Sequence, residues 1–165
     1  MAINAFDLVE RVRGYSPAVA NALLERTIPL MIPLAGGLRV RVEEVSDSRC
    51  VLTMPLRRRT RNHVGSMYFG AQMTLADLAA GVLLFRRFPP GPYGGLIKRV
   101  EADFLAKAKN TMRCTCWLPD EAAAIMEQVR DRPGAKAEAW LPLELADPEG
   151  QVVTRVRFLG ALKCF

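Results

Sequence analysis

Residues 67–85 read MYFGAQMTLADLAAGVLLF, nineteen positions that carry a single charge, Asp77. The run holds no proline and is long enough for about five helical turns. Its small residues, Gly70, Ala71, Ala76, Ala79, Ala80 and Gly81, fall on several sides of a helix. The stretch therefore reads as a buried helix that other elements approach closely around much of its circumference. A carboxylate in such a helix is costly, because its charged form loses hydration unless donors or solvent reach it. Asp77 either faces an opening, pairs with an arginine as an anchor, or performs chemistry.

Outward from this helix the period changes. Upstream, Arg57 to Ser66 is polar and reads as a loop. Before it, Leu38, Val40 and Val42 alternate with Arg39, Arg41 and Glu43, and Cys50, Leu52 and Met54 alternate again after the turn Ser46-Asp47-Ser48, which predicts a hairpin. Residues 4–31 read as two short helices: Phe6, Leu8, Val9 and Val12 recur at helical spacing, Gly14 interrupts, and Ser16-Pro17 has the form of an N-cap followed by a first-turn proline. Downstream, Pro89 to Gly95 reads as an irregular linker. Strands follow at residues 96–108 and 111–118, then a helix or turn at 120–130, then strands at 135–145 and 151–162, the last two joined at Asp147-Pro148-Glu149-Gly150. Two strands, a buried helix and about four more strands predict an α+β domain, with residues 1–35 a helical extension and residues 36–165 the domain proper.

The chain has 165 residues, half of them apolar, which suits one core. No apolar run reaches the roughly 20 residues of a membrane-spanning helix. Asp7 and Glu10 break any signal-peptide pattern, so a cytoplasmic location is expected. Cys50, Cys114, Cys116 and Cys164 lack ligand spacing and read as reduced core thiols, with no metal site. The net charge of +6 is diffuse except at Arg57, Arg58, Arg59 and Arg61; this distribution argues against a nucleic-acid partner, while the cluster suits phosphate groups or a solvated loop.

The segment from Asn62 through Gly65, Tyr68, Phe69 and Gly70 to Leu75-Ala76-Asp77 resembles the motif of phenylacetyl-CoA-type thioesterases of the hotdog superfamily, Asn-x-x-Gly-x-x-His-Gly-Gly followed by Leu-Ala-Asp on the central helix. Tyr68 stands where the family has its histidine, and Phe69 where it has the first glycine of His-Gly-Gly. The segment Glu101 to Lys109 is more weakly similar to a family strand ending in Phe-x-x-Pro-Ala. The resemblance implies an antiparallel sheet wrapped around a long helix, and places the chain nearest the branch whose substrates are unassigned. It implies hydrolysis of a medium-chain, long-chain or aryl acyl thioester, with coenzyme A entering only as part of the substrate and no other cofactor. It implies a homodimer or homotetramer, because the site is shared between paired protomers. Asp77 is then general base or nucleophile, Asn62 orients water or substrate, and the N–H groups of Phe69 and Gly70 face the carbonyl. Gly65 and Tyr68 are then neighbouring substrate contacts and the four loop arginines the phosphate contacts, while Gln72 and Thr74, selected by proximity alone, are either further polar contacts or ordinary helix positions.

Two other readings remain open. A non-catalytic acyl-CoA or fatty-acyl binding module would keep the fold and tolerate Asn at position 77. Dehydration of a hydroxyacyl thioester would pair His63, the chain's only histidine, with Asp77, but the proline-rich run before the helix is missing. A serine or cysteine triad is disfavoured, since no Gly-x-Ser-x-Gly elbow occurs.

Overall fold

The computed structural model describes residues 5–165, with side chains from Leu8 onward; the expectations for Met1 to Asn4 and for the Phe6 side chain lie outside the described residues. Helices α1 (Ala5–Arg13) and α2 (Pro17–Met31) precede a 3-10 turn (Pro33–Ala35) and the hairpin β1 (Arg41–Val45) and β2 (Arg49–Met54). Helix α3 (Phe69–Arg87) follows, then β3 (Tyr93–Phe104), β4 (Met112–Trp117), α4 (Asp120–Glu127), β5 (Lys136–Ala146) and β6 (Val152–Cys164). The six strands form one antiparallel sheet in the order β1-β2-β4-β5-β6-β3. The expected α+β architecture, a long helix within an antiparallel sheet and a helical extension before it, is the one observed.

Three boundaries differ from the sequence expectation, each for a local reason. Arg39 takes a left-handed φ of 56°, which breaks the alternation begun at Leu38, so β1 starts at Arg41. The stretch read as a linker ends early, because Tyr93, Gly94 and Gly95 pair with Cys164, Lys163 and Leu162 and open β3. At its other end β3 stops at Phe104; the chain then turns so that Ala108 O accepts from Met67 N (2.8 Å) and from Ser66 Oγ (3.2 Å).

Alternation along the strands sends Leu141, Leu143 and Leu145 of β5, Phe158 of β6, and Cys114, Cys116 and Cys50 inward, where they meet Leu75, Ala76, Ala79 and Leu83 of α3. Burying each leucine stabilises the fold by roughly 1.5–3 kcal/mol. The thiols are free, and burial pushes Cys50 up to about 12 and raises Cys114 and Cys116 further, so they pack as small apolar groups.

The helical extension belongs to the same core through Val9, Ala20, Leu24 and Ile28. Ser16 caps α2, its Oγ accepting from Val19 N, with Pro17 at the first turn as expected. Helix α2 lies along the outer edge of β1: Asn21 Nδ2 donates to the carbonyls of Val42 and Glu43 (both 3.2 Å), and Glu25 Oε1 accepts from Val42 N (3.0 Å). That edge is therefore satisfied by side chains, whereas β3 pairs only with β6 and leaves its other side open. No helix among the described residues is long and apolar enough to cross a membrane.

Candidate active site

Helix α3 begins at Phe69, and its first turn is anchored from several directions. Tyr68 N donates to Thr60 O (2.7 Å), and Thr60 is buried, its hydroxyl bonded to Pro55 O and Arg57 N. Asn62 Oδ1 accepts from Val64 N (3.1 Å) and Ser66 N (3.0 Å), folding a tight turn that Gly65 completes at φ 79°. A Cβ at Gly70 would lie 2.8 Å from the exposed Tyr68 ring, which would have to turn aside. The rings of Tyr68 and Phe69 are both exposed, with centroids 4.8 Å apart. The N–H groups of Phe69 and Gly70 have no acceptor among the described residues. They stand at the positive end of the helix dipole, ready to receive a partial negative charge.

Asp77 lies eight positions further along, about 12 Å from Phe69 along the axis. Its side chain makes no hydrogen bond or ion pair with a described residue. Solvent reaches the carboxyl, yet apolar atoms crowd it from one side, and this partial burial raises its pKa above the ordinary carboxylate value. The exposure and the raised pKa agree because the carboxyl has solvent on one side and an apolar cavity on the other. That cavity, about 200 Å³, runs from Asp77 along Ala80, Gly81 and Leu84 to Phe88, which is about 16 Å along the helix. Ile97, Leu96 and Gly95 of β3 form its outer wall, and Phe158 and Gly160 of β6 its floor. It is overwhelmingly apolar, and the point where Gly81 lacks a side chain is open space. Tyr93 and Phe88 meet edge to face at the far end (5.4 Å). Behind them Arg130 covers the Phe88 ring (4.8 Å), and the Tyr93 hydroxyl donates to Asp131 Oδ1 (3.0 Å).

The residues singled out from sequence therefore separate into groups. Asp77 is at the cavity, and Phe69 and Gly70 offer free donors at the helix start. Asn62 and Gly65 build the turn that sets that start, and the Asn62 carbonyl oxygen is committed there rather than to water. Gln72 is buried, its Oε1 accepting from Thr154 Oγ1 (2.6 Å) and its Nε2 donating to Met67 O (3.1 Å), so it ties α3 to β6. The Thr74 hydroxyl donates to Gly70 O within the helix (2.8 Å) and is likewise occupied. Arg57, Arg58, Arg59 and Arg61 are exposed, as is His63. Sequence reasoning missed the cavity walls. A signal was present, since Asp77, Gly81, Leu84 and Phe88 recur at helical spacing. Ile32, from the extension, also lines the cavity and carried no such signal.

A helix with this sheet order and this opening defines the hotdog class. The sequence profile of the family described as a domain of unknown function, DUF4442, matches residues 20–159, and the chain belongs to that family. No curated protein matches the chain. Among solved structures, PA5026 from Pseudomonas aeruginosa, described as a protein of unknown function and probable thioesterase, is 30% identical, with 87% of this chain and 95% of that one covered at a TM-score of 0.76. The Chlorobaculum tepidum protein OLEI01261, of unknown function, is 16% identical, with 90% and 97% covered and a TM-score of 0.73. Thioesterase PA1618 from P. aeruginosa is 14% identical, with 86% and 94% covered and a TM-score of 0.66. The last two likenesses concern the fold.

Proposed function

We propose that this protein is a thioester hydrolase acting on acyl-CoA. The carrying observation is the unpaired carboxyl of Asp77 at the opening of an apolar cavity. Its raised pKa suits a general base at neutral pH better than an ordinary aspartate would. Asp77 takes a proton from water as the water oxygen bonds to the carbonyl carbon; the carbon–sulfur bond then breaks, and the thiolate leaves to be protonated. No cofactor is needed for these steps. Oxygen charge is stabilised by the free N–H groups at the start of α3.

On one helix the base and the first donor are about 12 Å apart along the axis, which favours donors from a second helix for a carbonyl held at Asp77. A second copy resolves this by bringing its own helix start to Asp77, and the open edge of β3 is where it would join. Antiparallel pairing of two copies centred on Val100 sets Arg99 of one opposite Glu101 of the other, and buries Val100 and Phe104, which are exposed on the single chain. The cavity, long, narrow and with aromatic rings at its end, suits a medium-chain acyl or aryl-acyl group. The loop arginines, ahead of α3, suit the phosphates of coenzyme A. Free, buried thiols are in keeping with a cytoplasmic protein.

A panel of acyl-CoA esters incubated with wild type and Asp77→Asn tests this. Turnover is expected to fall about 10²- to 10⁴-fold in the variant while binding persists. Binding without turnover by the wild type would instead favour a non-catalytic acyl-CoA module, and unchanged turnover in the variant would remove Asp77 from the mechanism.

A further inference from the structure

The tip of the helical extension presents Leu30 at 83% exposure, Leu34 at 71% and Met31 at 43%, the last also lining a small apolar pocket against Leu78 and Val82 of α3. Pro29 explains why the tip projects: it lacks the N–H that would bond Glu25 O, and α2 ends two residues later in the 3-10 turn. Cations surround the tip. Arg26 lies one turn before Leu30 on the same helix face. Arg39 lines a surface groove with Arg26, and Arg59 lies so close to Gly37 that a methyl group there would collide with its Nη1. Arg26, Arg39 and Arg59 form no ion pair among the described residues, whereas the arginines of the sheet's outer face, Arg99, Arg113, Arg155 and Arg157, each meet a glutamate. Arg26 and Arg39 thus stand as cations without an ion-pair partner among the described residues beside an exposed apolar tip, in a groove whose one carboxylate, Glu25, is paired with Arg41. Ile32, two residues from Leu30, forms part of the wall of the Asp77 cavity.

We infer that this tip docks on an anionic membrane surface, with Leu30, Met31 and Leu34 entering the interface and Arg26 and Arg39 against the lipid headgroups. An apolar wedge ringed by cations combines the two terms that hold a protein on such a surface, burial among acyl chains and attraction to negative charge. A symmetric contact with a second copy at the same place would bring like charges together. Docking would set the cavity beside the lipid phase, where apolar acyl groups partition.

Flotation with vesicles of phosphatidylcholine, with and without phosphatidylglycerol, tests the inference independently of turnover. Wild type is expected to bind the anionic vesicles and to be released by salt. Arg26→Gln should weaken binding about fivefold, and Leu30→Ser with Leu34→Ser about tenfold or more, with folding checked by circular dichroism and hydrolysis of a short, water-soluble acyl-CoA unchanged. Equal binding to neutral vesicles, or binding indifferent to Leu30 and Leu34, would overturn it. So would a serine variant that changes the native mass, since the tip would then be a contact between copies.

Discussion

The two edges of the sheet are treated in opposite ways. At β1, Asn21 and Glu25 of α2 bond the strand's free carbonyls and N–H, and the edge ends there. At β3 no described residue does so: the strand is twelve residues long, its side chains Leu96, Val100 and Phe104 are exposed, and the catalytic candidate Asp77 lies behind it. An uncovered edge of this length invites pairing with another chain unless charge or proline prevents it. On the proposed pairing of two copies, the covered edge serves stability and the open edge function, and substitutions at the two should separate these properties.

The largest effect is expected at β3. Val100→Lys places two like charges opposite one another across the pairing proposed for two copies, and should yield a monomer by native mass spectrometry with turnover lowered about 10²-fold or more, since the second copy's donors are lost. A dimer that keeps its activity would break the comparison. At β1, Asn21→Ala removes the amide that bonds two strand carbonyls and the partner of Arg13 Nη1 (2.7 Å). It should cost about 1–3 kcal/mol, read as a melting temperature lower by several degrees, with kcat per folded molecule unchanged.

A smaller effect, on stability, is expected at Asp77 itself. Its raised pKa means that the folded protein holds the proton more tightly than the unfolded chain does, so the ionised carboxylate opposes folding at neutral pH. That penalty is full above the folded-state pKa and vanishes as pH falls below the unfolded value. Asp77→Asn should therefore melt at the same temperature or slightly higher near neutrality, with the difference closing in acid. A clear loss of stability in the variant would indicate a structural partner for the carboxylate. The same shift predicts that kcat/KM falls as pH drops through a pKa above the ordinary aspartate value.

The fold was legible because its signals are local. The low charge of residues 67–85, the alternation in β5 and β6, and the Ser16-Pro17 start of α2 each specify an element within a few residues. The errors were local as well, at Arg39 and at Gly94-Gly95, where backbone conformation and pairing override composition. The site was half legible. Asp77 is conspicuous as a lone charge, and the helix start follows from the loop before it. The cavity was not, because its walls come from α3, β3, β6 and the extension, and only tertiary packing joins Ile32 to Gly81. Gln72 and Thr74, polar side chains near the site in sequence, are bonded to the fold, in keeping with their reading as ordinary helix positions.

The central claim is that the base and the oxyanion donors of one site belong to two chains. Asp77→Asn removes the base, and Phe69→Pro removes a donor N–H at a first-turn position that proline tolerates. Each variant alone should be nearly inactive. Unfolded together in equal amounts and refolded, they should recover about a quarter of wild-type turnover, because half of randomly formed dimers are mixed and each mixed dimer holds one intact site of two. A mixture no more active than its parents would contradict the claim.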